Sequence, residues 1–203
     1  MDAMFLAELN ERLFVHFIQG AWRVPSGARL IPVLPFDEGR VGRIACAEAA
    51  DVARARVGLG AGSPAPRPVL AAAYEALRGP LAALRAMEGF DDTAGAPPAL
   101  TLPGTGPLVL LSAASTPVAT LAGVLLAGAA RGVLWKPAPL AAASAHLMMR
   151  DLGPLADGNL ALVQGDHATG AAVAGQGVLV WASPGPGCPG AALSLPATVR
   201  RRP

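Results

Sequence analysis

The sequence predicts an α/β protein in which an incomplete parallel sheet with flanking helices follows an amino-terminal β-meander and helices. After residue 105, short continuous apolar runs alternate with segments of helical pattern. Before that point, apolar and polar residues alternate in short stretches between turn residues. Buried parallel strands are typical of the first pattern, and half-exposed antiparallel strands of the second. With 203 residues, of which 53% are hydrophobic, the chain is long enough to bury a substantial core.

The first 104 residues predict short strands and then helices. Acidic residues near the start of the segment 48–56 favour a helix there, and the pair Gly79-Pro80 predicts a break in the next helix. The segment 90–106, rich in Pro, Gly and Thr, predicts a linker and a domain boundary. In chain order, the predicted elements are an amphipathic helix or arm at 4–14, two or three strands within 16–47, a helix at 48–56, a loop at 58–68 and one or two helices within 69–90.

The remaining residues predict repeated strand–helix units. Four apolar runs, at 107–115, 132–135, 159–165 and 177–183, are separated by three segments of helical pattern. Such alternation is typical of right-handed βαβ crossovers in a parallel sheet, where ligands bind at the carboxyl ends of the strands. Lys136 follows the second run directly. It is the single lysine of a chain whose fifteen other cationic side chains are arginines.

Composition argues against several classes of function. A net charge of +2 and an aromatic content of 4% do not favour nucleic-acid binding. The uncharged segment 105–130 is long enough to span a membrane, but Gly106, Pro107 and Pro117 interrupt it, so that we expect a buried core helix and no membrane partner. Cys46 and Cys188 form no metal or disulfide pattern. Since no basic, apolar leader is visible at the amino terminus, a cytoplasmic location is expected.

Three segments, in order and at matching spacing, resemble the amino-terminal part of the NAD(P)-dependent aldehyde dehydrogenase superfamily. They are FIQGAWRVPSG with the following IPVLPFDEGRVGRIACAEAADV, then VLLSAASTPVATLAGVLLAGAARGVLWKPAPLAAASAHLM, and then NLALVQGDHATGAAVAGQGVLVWASPGPG. The resemblance covers about residues 13–185. It implies an amino-terminal strand and helix region at 1–104, a partial Rossmann-like NAD(P)-binding region at 105–185, and a disordered tail at 186–203.

The resemblance implies a cofactor site around the single lysine. In the family, a lysine at this strand end hydrogen-bonds the adenine ribose of NAD or NADP. An ammonium group can donate to two ribose hydroxyls or to a 2′-phosphate. The residues that the resemblance implies at the cofactor are Lys136, Pro137, Ala138, Pro139 and Gly165. A solvated lysine at a strand end, with no ligand, is the alternative interpretation.

Several positions depart from the family pattern. The family's Trp-Asn-Phe-Pro loop, whose asparagine stabilises an oxyanion, appears here as residues 114–117, Ala-Ser-Thr-Pro. Pro139 stands where many members carry an acid that contacts the ribose. The family's Phe-Thr-Gly-Ser turn appears as residues 182–185, Ala-Ser-Pro-Gly. The family's general-base glutamate, its catalytic cysteine and the strand that joins neighbouring subunits have no counterpart in this sequence, so that no catalytic residue is predicted.

The remaining candidate motifs do not predict a binding or catalytic site. Residues 185–190 match the pattern G-x-G-x-x-G, but Pro186 and Pro189 remove the backbone donors that a phosphate would need, and no helix pattern follows. Cys188 is expected to lie in a flexible tail. The histidines are dispersed, Asp166-His167 favours a polar turn, and Asp91-Asp92 reads as a charged pair in a linker with no further metal ligand.

These observations favour a truncated, aldehyde-dehydrogenase-like protein without activity of its own, a pseudoenzyme that acts as an interaction or regulatory partner in an oligomer. The expected partner is a full-length aldehyde dehydrogenase or a second copy of the chain. One alternative is a cofactor-binding subunit of a split NAD(P)-dependent enzyme that oxidises an aldehyde to an acid. Another is a decayed remnant without function. Whether the chain is an enzyme therefore stays open at this stage, and NAD or NADP binding would be weak or lost.

Overall fold

The computed structural model of the protein describes residues 13–33, 42–183, 190–195 and 199–201. The strands in these ranges are β1 (Leu13–Phe14), β2 (His16–Ile18), β3 (Ala21–Arg23), β4 (Leu30–Val33), β5 (Gly42–Ala45), β6 (Phe90–Asp91), β7 (Leu108–Ser112), β8 (Val133–Pro137), β9 (Leu160–Leu162), β10 (Val178–Ala182), β11 (Leu193–Leu195) and β12 (Arg200–Arg201). The α-helices are α1 (Ala49–Arg56), α2 (Arg67–Met87), α3 (Val118–Gly128), α4 (Ala142–Leu152) and α5 (His167–Ala174), with single 3-10 turns at Pro139–Ala141 and Pro154–Ala156.

A seven-stranded sheet in the order β11-β10-β7-β8-β9-β2-β3 forms the centre of the fold. The five strands from β11 to β9 are parallel, whereas β2 and β3 pair antiparallel. The four predicted strands of the second half are confirmed as β7, β8, β9 and β10. They were predictable because strands covered on both faces are continuously apolar: every residue of β7 and β8 except Ser112 and the Lys136-Pro137 end is a buried hydrophobic residue.

Helices cover both faces of this sheet. Leu108 and Leu110 of β7 belong to one core cluster with α2, α3 and α4. Val109 and Leu111, which alternate with them, belong to a second cluster with α1 and α5. Successive residues of a strand point to opposite faces, so that the two clusters lie on either side of the sheet. The protein is therefore a three-layer α/β/α structure, and the predicted parallel sheet with flanking helices is confirmed.

The amino-terminal strands are shared between two sheets. Strands β1, β5 and β4 form a small sheet of their own, whereas the β2–β3 hairpin extends the central sheet through the pairing of Phe17 with Leu162. Residues of the predicted 1–104 region thus complete the sheet of the predicted 105–185 region. The helix or arm predicted at 4–14 lies outside the described residues apart from Leu13–Phe14, which form β1.

The predicted break at Gly79-Pro80 is not present, and α2 runs unbroken from residue 67 to residue 87. Gly79 and Pro80 are exposed, so that the missing N–H and the proline ring face solvent. The opposite side of the helix carries buried residues at helical spacing, among them Tyr74, Leu77 and Leu81. Packing of this apolar side outweighs the local cost of the proline.

The predicted linker at 90–106 and the predicted tail at 186–203 both contain paired strands. Within residues 90–106, Phe90–Asp91 form β6, which pairs with β12 from the carboxyl-terminal segment. Within residues 186–203, for which the sequence predicts disorder, β11 pairs in parallel with β10, and Leu193 and Leu195 pack partly buried against the core. The uncharged stretch 105–130 supplies β7 and α3 to the interior, and among the described residues no helix has the length and apolarity that a membrane span needs.

Candidate functional site

A cleft of about 540 Å³ opens at the carboxyl ends of β7, β8 and β10. Helix α5 forms its opposite wall, through residues on one side of the helix that include Gly170 and Ala174. The chain passes from β7 through β8 to β9 on one side, and then crosses back to place β10 on the other side of β7. Open α/β sheets bind their ligands where the strand order reverses in this way. The topology alone therefore marks this cleft as the candidate site.

Lys136 is the last residue but one of β8, and it lines the cleft. Its side chain is 7% exposed, and burial lowers the pKa of its ammonium group, an effect that Asp166 and Cys46 partly oppose. Among the described residues, no hydrogen bond or ion pair holds its Nζ atom, which faces the cleft side of the largely buried residue. A Cβ atom at Gly170 would lie 4.0 Å from Cδ of Lys136, an ordinary van der Waals distance, so that the lysine stem lies alongside α5. A cation in a largely buried residue without a partner loses part of its hydration, and a ligand in the cleft could replace it.

Asp166 stands at the start of α5 and lines the same cleft. Its carboxylate accepts hydrogen bonds from the backbone N–H groups of Ala168 and Thr169 and forms an ion pair with Arg29 at 2.5 Å. The hydrogen bond from Arg29 contributes most to holding the pKa of Asp166 well below its usual range. Because Asp166 already satisfies two N–H groups at the start of the helix, these groups are not free for a phosphate.

The loop at 113–117 forms a further wall, and three contacts fix it. The guanidinium of Arg85 donates to the carbonyl of Ala114, and the hydroxyl of Thr116 donates to the carbonyl of Ala182 at 2.8 Å. The backbone N–H of Val199 donates to the carbonyl of Ser115 at 2.8 Å. A loop held from three elements is preorganised for binding, because little further ordering is needed when a ligand arrives.

Two buried polar side chains near the strand ends have no hydrogen-bond partner among the described residues. The indole Nε1 of Trp181, which lines the cleft, is one of them. The amide of Gln164 is the other, and this residue is fully buried just before Gly165. Gln164 does not line the cleft. Since buried polar groups are ordinarily hydrogen-bonded, the unsatisfied indole of Trp181 is the one that favours a ligand there.

The structure brings together three of the five residues predicted at the cofactor. Lys136, Ala138 and Pro139 line the cleft. Pro137 is buried within β8 opposite Ser112, and Gly165 lies in the turn that precedes Asp166. Gly165 has a φ of 157°, and a Cβ atom there would lie 2.1 Å from Oγ1 of Thr169. Its role is to let the turn pass close to α5. Ligand contacts of all five residues stay predictions.

Sequence reasoning missed other residues of the site. Arg29 acts across 137 positions of sequence, and no local pattern pairs it with Asp166. For Trp181 the sequence predicts only a place in a strand. Asp92, interpreted as half of a linker charge pair, is buried and forms an ion pair with Arg85. The motif at 185–190 and Cys188 lie outside the described residues except for Gly190, as do two residues of the turn at 182–185.

The fold of the chain is similar to that of solved aldehyde dehydrogenases. No protein-family sequence model matches the chain, and no curated protein sequence matches it significantly. The Δ-pyrroline-5-carboxylate dehydrogenase of Mycobacterium tuberculosis, whose structure holds NAD and cobalamin, superposes with a TM-score of 0.66 at 20% identity, over 88% of this chain and 44% of that one. An aldehyde dehydrogenase of Bacillus cereus in complex with NAD+ superposes with a TM-score of 0.65 at 18% identity, over 90% of this chain and 48% of that one.

A salicylaldehyde dehydrogenase of Pseudomonas putida G7, complexed with salicylaldehyde, gives a TM-score of 0.65 at 15% identity, over 84% of this chain and 47% of that one. The chain thus spans less than half the length of each of these structures. Identities of this size speak for the fold and not for a shared reaction. The described residues have the fold of the aldehyde dehydrogenases, as the order of the sequence motifs predicts.

Proposed function

We propose that this chain binds NAD or NADP in the cleft at Lys136. The observation that carries the proposal is the lysine itself: it is largely buried, its ammonium group has no partner among the described residues, and it lines a cleft where the strand order reverses. An adenine ribose offers two hydroxyl acceptors to such a group, and NADP offers a phosphate. The similarity in fold to dehydrogenases whose structures hold NAD supports the same assignment.

The residues of the cleft fit the adenosine part of such a cofactor. A volume of about 540 Å³ lies in the range of small-molecule sites. The walls are mostly apolar, with Ala114, Ala138 and Pro139 on one side and the indole of Trp181 on another. Lys136 would hold the ribose or its phosphate, and the apolar walls would exclude water. When bound, the nicotinamide cofactor supplies a hydride acceptor.

Titration calorimetry with NAD and NADP tests this proposal. The variant Lys136→Ala is expected to weaken binding at least tenfold, because hydrogen bonds from charged groups contribute about 1.5–3 kcal/mol. Arg150→Ala is the matched control, since Arg150 pairs with Asp151 on an exposed surface and does not line the cleft. A wild-type protein that binds neither cofactor at millimolar concentration would contradict the proposal, as would an unchanged affinity in Lys136→Ala.

We also propose that the chain acts in an assembly and does not oxidise aldehydes on its own. The observation that favours association is β11, an edge strand that pairs with β10 and with no other strand among the described residues. Exposed edges of this kind are ready to pair with another chain. The partner would be a second copy or a full-length aldehyde dehydrogenase. In a split enzyme, this partner would also supply the nucleophile and the general base.

Native mass spectrometry distinguishes these roles. A dimer, or a stable complex with a purified aldehyde dehydrogenase, would support the assembly. Nucleotide uptake that requires the partner would favour the split enzyme. A monomer that binds neither a partner nor a nucleotide would contradict both roles and favour a remnant without function.

A further inference from the structure

Lys136 and Asp166 line the same cleft, and yet they form no ion pair. We propose that Arg29 determines the charge of this cleft: it holds Asp166, and thereby leaves Lys136 free to select ligands that carry a phosphate group. Arg29 is a positioning residue in this proposal, because it acts on the ligand through two other side chains. The inference deepens the proposed nucleotide binding and rests on it.

Both carboxylate oxygens of Asp166 accept hydrogen bonds. Oδ1 accepts from the backbone N–H of Ala168 at 3.0 Å and of Thr169 at 3.2 Å. Oδ2 accepts from Nη1 of Arg29 at 2.5 Å. A short contact between charged groups of this kind is among the stronger hydrogen bonds in proteins. Each oxygen of Asp166 therefore already has a partner, and the cation paired with the carboxylate is Arg29.

Backbone hydrogen bonds hold Arg29 in place for this contact. Its carbonyl accepts a hydrogen bond from the backbone N–H of Cys46 at 2.9 Å, directly beyond the pairing of β4 with β5. The N–H of Ala47 in turn donates to the carbonyl of Gln164, two residues before Asp166. The small amino-terminal sheet is thereby tied to the loop that carries Asp166. The position of the guanidinium beside the carboxylate follows from this backbone connection.

Two neighbouring groups contribute to the charge that acts on Lys136. Asp166 and Cys46 are the described residues with a favourable electrostatic effect on its ammonium group. Burial raises the pKa of the Cys46 thiol, so that this group is neutral near pH 7. Of these two groups, only Asp166 carries a negative charge there, and Arg29 compensates that charge. His167, which also lines the cleft, adds no negative charge in either protonation state.

Loss of the arginine would reverse this arrangement. With Oδ2 of Asp166 released, the carboxylate could pair with Lys136 and compete with the phosphate of a ligand. Conversion of Asp166 to asparagine would remove the competitor while keeping a good helix cap, since Asn and Asp cap helices about equally well. The side chains of Arg29 and Asp166 are 52% and 31% exposed, so that neither substitution disturbs the core.

The experiment compares the wild type with Arg29→Met, Asp166→Asn and the double variant, using NADP and NAD as probes in titration calorimetry. We expect Arg29→Met to weaken NADP binding about tenfold and NAD binding less. We expect the double variant to return to within about twofold of the wild type. Arg150→Met, which breaks an exposed ion pair away from the cleft, is the control. An unchanged affinity in Arg29→Met, or a double variant that stays as weak as Arg29→Met, would overturn the proposal.

A second measurement needs no ligand. Because Lys136 is the single lysine, biosynthetic 13C-lysine labelling gives one Cε resonance, whose pH titration reports the pKa of this group directly. We expect this pKa to rise in Arg29→Met, since a released carboxylate favours the ammonium form, and to fall back in the double variant. An unchanged pKa in Arg29→Met would refute the role of Arg29. If the wild type binds neither cofactor while the pKa moves as expected, nucleotide binding is refuted and the charge control by Arg29 is supported.

Discussion

Arg85 and Glu88 form an ion pair inside the protein, with Nη1 of the arginine 2.7 Å from Oε2 of the glutamate and both side chains 1% exposed. Asp92 joins the pair, with its Oδ2 atom 3.4 Å from Nε of Arg85. The carboxylates also cap two helices, since Asp92 accepts from the N–H of Val118 and Glu88 from that of Ser144. This group therefore ties the end of α2 to the starts of α3 and α4.

The first prediction is that Arg85→Met destabilises the protein by about 3–5 kcal/mol, because two buried carboxylates lose their cation. The loop at 113–117 would also lose the donor to Ala114. Urea denaturation followed by circular dichroism measures the change. Arg150→Met, which breaks an exposed pair, should cost less than about 1 kcal/mol. A loss of similar size in both variants would contradict the importance of burial.

This ionic group shows where sequence reasoning stops. The pair Asp91-Asp92 stands in a stretch rich in Pro, Gly and Thr, which predicts a solvated linker. Nothing in that stretch indicates that Asp92 is buried against Arg85 of the preceding helix. Likewise, Arg29 and Asp166 come together only through the packing of two sheets. Contacts of this kind follow from tertiary structure, and local patterns do not contain them.

Other features of the fold were predictable because their cause is local. The strands β7 to β10 are short apolar runs, and the alternation with helices predicts their parallel order. From that order alone, Lys136 and Pro139 could be placed at the ligand edge of the sheet, where the cleft lies. The break predicted at Pro80 was wrong. Packing of the buried side of α2 stabilises the continuous helix more than the local propensity of proline destabilises it.

The second prediction is that Lys136→Met stabilises the protein by about 1 kcal/mol at pH 7 while it weakens nucleotide binding. The wild type holds a largely buried lysine whose ammonium has no partner among the described residues, and methionine fills similar space without a charge. Because burial lowers the pKa of Lys136, the unfolded chain binds more protons between the folded and unfolded pKa values, and stability rises with pH in that alkaline window. Urea unfolding at pH 7 and pH 9.5 should show this rise in the wild type and not in the variant. A less stable Lys136→Met would contradict the interpretation.

The third prediction is that Gly165→Ala costs about 2 kcal/mol of stability. Its Cβ atom would lie 2.1 Å from Oγ1 of Thr169, whose hydroxyl donates to the carbonyl of Ala47 and so cannot move freely. Gly175→Ala is the control, because a Cβ atom at Gly175 meets no other atom within 4 Å. The double variant Gly165→Ala/Thr169→Ala should recover part of the loss, since the clash is removed. Thermal unfolding measures all three, and equal losses at the two glycines would refute the steric argument.

The fourth prediction concerns His16, which is fully buried and accepts a hydrogen bond at Nδ1 from the backbone N–H of Gln164. Its Nε2 atom lies 3.7 Å from Oδ2 of Asp51. Burial lowers the pKa of His16, and the charge of Asp51 only partly opposes this effect. The folded protein therefore keeps the imidazole neutral, since a proton on Nδ1 would also face the N–H that now donates to it.

In the unfolded chain, His16 takes up a proton below a pH of about 6.5, so that the unfolded state binds more protons and stability falls as the pH drops below that value. The slope from this one group approaches about 1.4 kcal/mol per pH unit. His16→Asn removes the titrating ring, and its stability should fall less than that of the wild type between pH 7 and pH 5.5. His167→Asn, at an exposed position, is the control for removal of a histidine. If His16→Asn and the wild type lose stability in parallel, the buried imidazole does not carry the acid sensitivity, and protonation of carboxylates such as Asp51 must account for it.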